Sequence, residues 1–143
     1  DFQKFNEGFY ADPQLVAAAA ITDSVASITS DQINRMHRAP GDRNAYAVVS
    51  RGRIQMENFV SAMAFMEELA ELATSVGGVE TGIALPVTGD RYEAIFVQFA
   101  ASMQELQDLD EKLFASEDYL AMFAKASQYM ESRFDSVFAQ RII

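Results

Sequence analysis

The sequence predicts an α+β domain with the element order β-α-β-β-α-β. Three observations point there. Half of the 143 residues are hydrophobic, enough to close one core. Three turn signals punctuate the chain: Pro40-Gly41-Asp42, Gly77-Gly78 and the stretch from Pro86 to Asp90. Between them, β-branched and aromatic runs alternate with stretches whose apolar residues recur at three- and four-residue steps.

Each element follows from its residues. Asn44–Ile54 (NAYAVVSRGRI) reads as a strand. Met56–Ser75 reads as a helix, with Phe59, Ala62, Met63, Met66, Leu69, Ala70 and Ala73 on one apolar stripe and Gly77-Gly78 as its C-cap. Val79–Val87 and Arg91–Ala100 read as two strands joined at Gly89-Asp90. Ser102-Met-Gln-Glu105 has the form of a capping box and opens a helix to about Ala115. Ser116 caps a further helix that is expected to run to about Arg133, with Tyr119, Met122, Phe123, Ala126 and Met130 on one face. Asp135–Ile143 reads as the last strand. This order is the ferredoxin-like, split βαβ arrangement: four antiparallel strands with two helices on one face. Both strand parities are apolar. Tyr46, Val48, Ile83, Leu85, Ala94 and Phe96 lie on one, and Val49, Ile95, Val97 and Phe99 on the other. One face therefore meets the helices and the other needs a second sheet.

Residues 1–38 read as helix, turn, helix and strand: Asp1–Tyr10, Asp12–Thr29 and Asp31–Arg38. Shifted by 104 positions they fall on Glu105–Ile142 without a gap, with Gln3 on Gln107, Glu7 on Glu111 and Asp31 on Asp135 among six identities. The shared apolar register favours a tandem repeat over two unrelated amphipathic helical hairpins with a similar pattern. On that reading 1–38 is the C-terminal half of an upstream ferredoxin-like unit, 39–43 is a linker and 44–143 is a complete unit. The upstream unit's first half, roughly 60 residues by the repeat period, is expected to lie outside a partial chain. A half-unit leaves edge strands that seek a partner, so dimerisation is expected.

Composition narrows the function. Zero Cys excludes disulfides and thiolate chemistry, and fits a cytoplasmic location. A formal net charge of -10 argues against nucleic acid. The apolar runs fall far below the ~20 residues of a membrane span, and the first residues carry no signal-peptide pattern. There is no Gly-rich phosphate loop, GxSxG, HExxH or dinucleotide fingerprint.

The segments NAYAVVSRGRI, VETGIALPVTGDRYEAIFVQFA and SEDYLAMFAKASQYMESRFDSVFAQRII, with the Met- and Glu-rich helix ending at Gly77-Gly78, resemble the dimeric α/β-barrel superfamily. Similar members include antibiotic-biosynthesis-monooxygenase-like, NIPSNAP-like and EthD-like domains. The resemblance implies two ferredoxin-like units packed sheet to sheet, with a homodimer as the expected state. It implies a monooxygenase-like or small-molecule-binding role on an apolar substrate, without a cofactor motif. The alternative is a non-catalytic dimerisation domain of the same fold. Haem-degrading and quinone-forming members typically use a His, an Asn and a Trp, whereas this chain has one His and no Trp.

The candidate catalytic residues are His37, Tyr46 and Tyr92. A strand-end His serves as a general base or, in a third reading, a haem ligand, and its plainer role is a surface side chain. The phenols of Tyr46 and Tyr92 would orient a substrate or donate a proton, or simply pack with their hydroxyls at a rim. Arg51 and Arg91 are candidates for holding an anionic group, against ordinary pairing with Glu80 or Glu93. Met63, Met66, Phe96 and Tyr119 are expected to line a pocket between sheet and helices, with core filling as the competing use of the Met residues. The acidic set Glu105, Asp108, Asp110, Glu111, Glu117 and Asp118 lacks the offsets of a calcium loop and reads as a solvated face. No metal site is expected.

Overall fold

The computed structural model describes residues 32–140 together with positions 8, 11–14 and 17. The helices expected over Asp1–Tyr10 and Asp12–Thr29 therefore fall largely outside the described residues, as do Asp31 and residues 141–143. The chain divides into two compact units, Asp1–Asp31 and Gln32–Ile143. The sheet and the helices packed on it belong to the second.

Its elements are β1 (Asn34–Arg38), β2 (Tyr46–Ile54), α1 (Phe59–Gly77), β3 (Thr81–Pro86), β4 (Glu93–Ala100), α2 (Met103–Ala115), α3 (Glu117–Ala124) and β5 (Met130–Gln140). Short 3-10 turns precede α1 and follow α3. The strands form one antiparallel sheet in the order β1-β3-β4-β2-β5. β3, β4, β2 and β5 are the four strands of the ferredoxin-like unit. β1 adds a fifth at the edge, with Asn34 opposite Pro86 and Met36 opposite Ala84.

The helices begin and end where the sequence places their caps. Ser102 Oγ accepts from the Glu105 N–H at 3.2 Å, and Glu105 Oε2 accepts from the Ala101 N–H at 2.7 Å. Ser116 Oγ accepts from the Tyr119 N–H and starts α3. Gly78 takes φ 75°, and its N–H closes α1 on the Thr74 carbonyl.

One boundary differs. The helix expected to reach Arg133 stops at Ala124, and β5 begins at Met130. The segment around the start of α1 captures the backbone there. The Gln55 N–H donates to the Tyr129 carbonyl at 2.9 Å, Gln55 Nε2 donates to the Met130 carbonyl at 3.2 Å, and Asn58 Nδ2 donates to the Gln128 carbonyl at 2.9 Å. Carbonyls bonded from another element no longer need a continuing helix.

Side chains of α1 fill the space against the sheet. Ala62, Phe65, Met66, Leu69, Ala70 and Ala73 are buried, and they join Ile54, Ile83, Ala94, Phe96 and Met130 in the core. The buried stripe is rotated from the expected one: Phe65 is inside, while Phe59 and Met63 are only half-buried. Phe65 is held there by a stacked contact with Tyr129, centroids 4.8 Å apart. A second cluster joins Ala73 and Ala100 to Leu106, Leu109 and Leu113 of α2. Gly77 is the point of closest approach, because a Cβ there would fall on the Leu109 side chain.

Candidate functional site

The parity of β2, β4 and β5 decides which side chains meet the helices. Val48, Ser50, Phe96, Gln98, Phe134, Ser136 and Phe138 share the helix-facing side, and Ser50 lies opposite Ser136 and Phe96 in the register. Where α2 and α3 pass over this part of the sheet they leave a cavity of about 250 Å³. Its aliphatic wall is Val48, Leu106, Leu109 and Leu113. Its aromatic wall is Phe114, Tyr119, Phe123, Phe134 and Phe138. The rings run in sequence: Phe114 is edge-on to Tyr119 at 6.3 Å, Tyr119 stacks on Phe123 at 6.0 Å, and Phe123 is edge-on to Phe134 at 5.9 Å. Such contacts fix ring orientation beyond what simple burial does. A small recess of about 50 Å³ opens beside it, where Phe96, Thr81 and Leu69 meet Gln98 and Tyr119.

Polar groups in this apolar space are few and held. The hydroxyls of Ser50 and Ser136 bond each other at 2.8 Å. Gln98 Nε2 donates to Thr81 Oγ1 at 2.8 Å, and both residues are buried. The Thr81 N–H in turn donates to Thr74 Oγ1, whose hydroxyl donates to the Ala70 carbonyl at 2.8 Å. β3 is thereby fastened to α1 and the amide plane of Gln98 is held. Burial, with a further contribution from Asp110, raises the Tyr119 phenol above its usual range, so it stays a neutral hydroxyl. Asp110 itself is exposed and stands at the rim. The set can orient a largely apolar molecule through hydroxyl, amide and carboxylate contacts. Among the described residues it contains no nucleophile–base pair, and no three His, Asp or Glu side chains gather as metal ligands.

The opposite sheet face carries a larger, more open cavity of about 630 Å³ over Ala47, Val49, Ile95, Val97 and Phe99, with Arg51 and Arg43 among its polar residues. We place the candidate site on the helix side, where buried polar groups and ordered rings converge. An open, mostly aliphatic sheet face is what a second sheet would cover.

The sequence-predicted residues are mostly dispersed, although Tyr46 and Arg51 both line the larger cavity on the opposite sheet face. Tyr119 lines the helix-side cavity, and Phe96 lines its recess. Met66 is fully buried in the core and Met63 packs against that core, so neither lines the cavity. Tyr46 packs against the Leu106–Leu113 cluster, and its hydroxyl accepts from Gln140 Nε2 at 3.3 Å. Tyr92 stands edge-on to Phe59, with the Arg53 guanidinium 6.0 Å from its ring. Arg51 faces the other side of the sheet, opposite Asp135 in the register. Arg91 is exposed between β3 and β4. His37 lies outside both cavities, its Nε2 3.1 Å from Glu67 Oε1, the carboxylate that also takes Arg38 at 3.2 Å. Arg53 is bound on two sides, to Asp90 at 2.7 Å and to Glu131.

The polar residues that do converge, Gln98, Ser50, Ser136 and Thr81, are not among the sequence-predicted ones. Each is a polar residue at a helix-facing strand position, and its own strand does not report which helix crosses it. Asp110 stands in the sequence only as one member of a solvated acidic face.

No protein-family model matches the chain, and no curated protein does. Solved structures do. A NIPSNAP family protein from Agrobacterium tumefaciens is similar at 17% identity and a TM-score of 0.59, over 79% of this chain and 95% of that one. A "putative antibiotic biosynthesis monooxygenase" from Nitrosomonas europaea is similar at 11% identity and a TM-score of 0.52, over 68% of this chain and 99% of that one. A "putative monooxygenase" from Fusobacterium nucleatum matches 98% of this chain but 64% of its own length, at 10% identity and a TM-score of 0.66. At these identities the likeness is one of fold, the ferredoxin-like fold that the sequence predicts.

Proposed function

We propose that this chain is a small-molecule-binding protein of the monooxygenase-like α/β-barrel class, with its ligand in the helix–sheet cavity. The observation that carries the reading is the convergence there of a continuous aromatic wall with a held, buried Gln98. The substrate is largely apolar, and the reading invokes no cofactor. If the protein is catalytic, it is an oxygenase-like enzyme, with the neutral Tyr119 hydroxyl, not Tyr46 or Tyr92, as the phenol that touches substrate.

The apolar face of Val49, Ile95, Val97 and Phe99 supports a barrel in which a second copy, or a repeat, supplies the facing sheet. Residues 1–38 as the second half of an upstream repeat fit the way β1 extends the sheet along β3. We place the protein in the cytoplasm, as its lack of Cys suggests. Among the described residues no helix is long and apolar enough to cross a membrane. A second reading, a non-catalytic dimerisation domain, is favoured by one observation: Tyr46 and Arg51 share the open sheet-face cavity, but His37, Arg91 and Tyr92 do not join them.

Native mass spectrometry of the purified chain under gentle conditions tests both readings. A dimer carrying a reproducible small-molecule mass is expected. A ligand-free dimer that takes up no added aromatic compound would favour the dimerisation domain, and a monomer would contradict the barrel.

A further inference from the structure

The chemistry of the helix–sheet cavity narrows its ligand, an inference that rests on the cavity being a binding site. Gln98 is only 9% exposed, and its Nε2 is committed to Thr81. Among the described residues nothing bonds its Oε1, and no fully buried side-chain oxygen or nitrogen lacks a partner. The Oε1 therefore opens into the cavity that the residue lines. An acceptor that opens into an apolar cavity stays bonded when a ligand displaces solvent only if the ligand brings a donor. The cavity asks for a molecule that brings a hydrogen-bond donor.

Charge sharpens the demand. Among the described residues that line the cavity and its recess, none is Lys, Arg or His. The carboxylate present is Asp110, which enters no ion pair with another described residue. Apart from the neutral Ser50, Ser136, Thr81 and Gln98, the remaining wall is aliphatic or aromatic, and aromatic faces attract cations. An anionic ligand would meet Asp110 and no compensating cation. A cation would meet the carboxylate and the ring faces together.

We propose that the helix–sheet cavity selects protonated amines borne on a flat one- or two-ring apolar body, with Asp110 as the counter-charge and the Phe114–Tyr119–Phe123–Phe134 rings as the bed. Gln98 Oε1 accepts an N–H or O–H of the same ligand.

Isothermal titration of the intact chain with three matched probes tests this: 2-naphthylmethylamine, 2-naphthylmethanol and 2-naphthoate, at low salt and pH 7. The amine is expected to bind about tenfold tighter than the alcohol, and the carboxylate weakest. Asp110→Asn should remove the preference for amine over alcohol. Glu111→Gln, the same charge change at the neighbouring exposed position that does not line the cavity, should leave it intact. Both sites are exposed, so neither variant threatens folding. Equal binding of all three probes would overturn the amine selectivity while leaving the cavity a ligand site. So would an Asp110→Asn effect matched by Glu111→Gln. Failure of every probe to bind would overturn the cavity reading itself, and the inference with it.

Discussion

Leu106 is 1% exposed and closes the cavity wall from α2. Leu106→Ala removes side-chain atoms from a site that adjoins empty space, so little can collapse to fill the gap. A loss of about 2–5 kcal/mol is expected, read as a lower urea midpoint with an unchanged slope. Tyr119 offers a pH readout. Its phenol is raised by burial and by Asp110, so the folded state keeps the proton after the unfolded chain, near the ordinary value of 10.0, has lost it. The stabilisation is complete below pH 10.0 and disappears as pH climbs through the higher folded value. An ultraviolet titration differenced against Tyr119→Phe should show the Tyr119 phenolate appearing above pH 10.0; appearance below it would contradict that burial. At this scale the sequence told least. Tyr119 and Phe96 were legible because an apolar stripe on an amphipathic element must face the core. Gln98, Ser50 and Ser136 were not, because whether a polar residue within a strand meets water, a partner or a cavity depends on which helix crosses it.

Strand and helix boundaries depend on where backbone groups find partners. Ser102, Ser116 and Gly78 were legible because capping is local, encoded within a few residues of each helix end. The end of α3 was not, since Gln55 and Asn58 reach it from some 70 residues away. Asn58→Ala should leave the Gln128 carbonyl without its donor, cost about 1 kcal/mol, and speed amide exchange where α3 gives way to β5. The Arg53 clasp between β2, the β3–β4 turn and β5 predicts an acid-side effect. Asp90 accepts from the Tyr92 N–H and from Arg53, and both depress its carboxyl below the ordinary value of 3.8. Its contribution is present above that value and is lost as pH falls toward the lower folded one. Asp90→Asn should flatten the fall of Tm as pH drops below the ordinary carboxyl value of 3.8, with only a small change at neutral pH because the pair is exposed to solvent.

For the whole molecule, the fold was readable because each level agreed: hydrophobic period, turn residues and element order all described one βαββαβ unit. The fifth strand was readable as a strand within Asp31–Arg38, but its place was not, because pairing along the β3 edge is a long-range choice that no local propensity reports. The same agreement leaves two apolar sheet faces, one under helices and one open, and we assign the ligand to the first and the facing sheet to the second. Methyl NMR with 2-naphthylmethylamine titrated into the intact chain distinguishes them. Saturable shifts are predicted at Val48, Leu109 and Leu113, which line the helix-side cavity. Shifts confined to Ala47, Val49, Ile95 and Val97 would place binding on the other face and contradict that assignment.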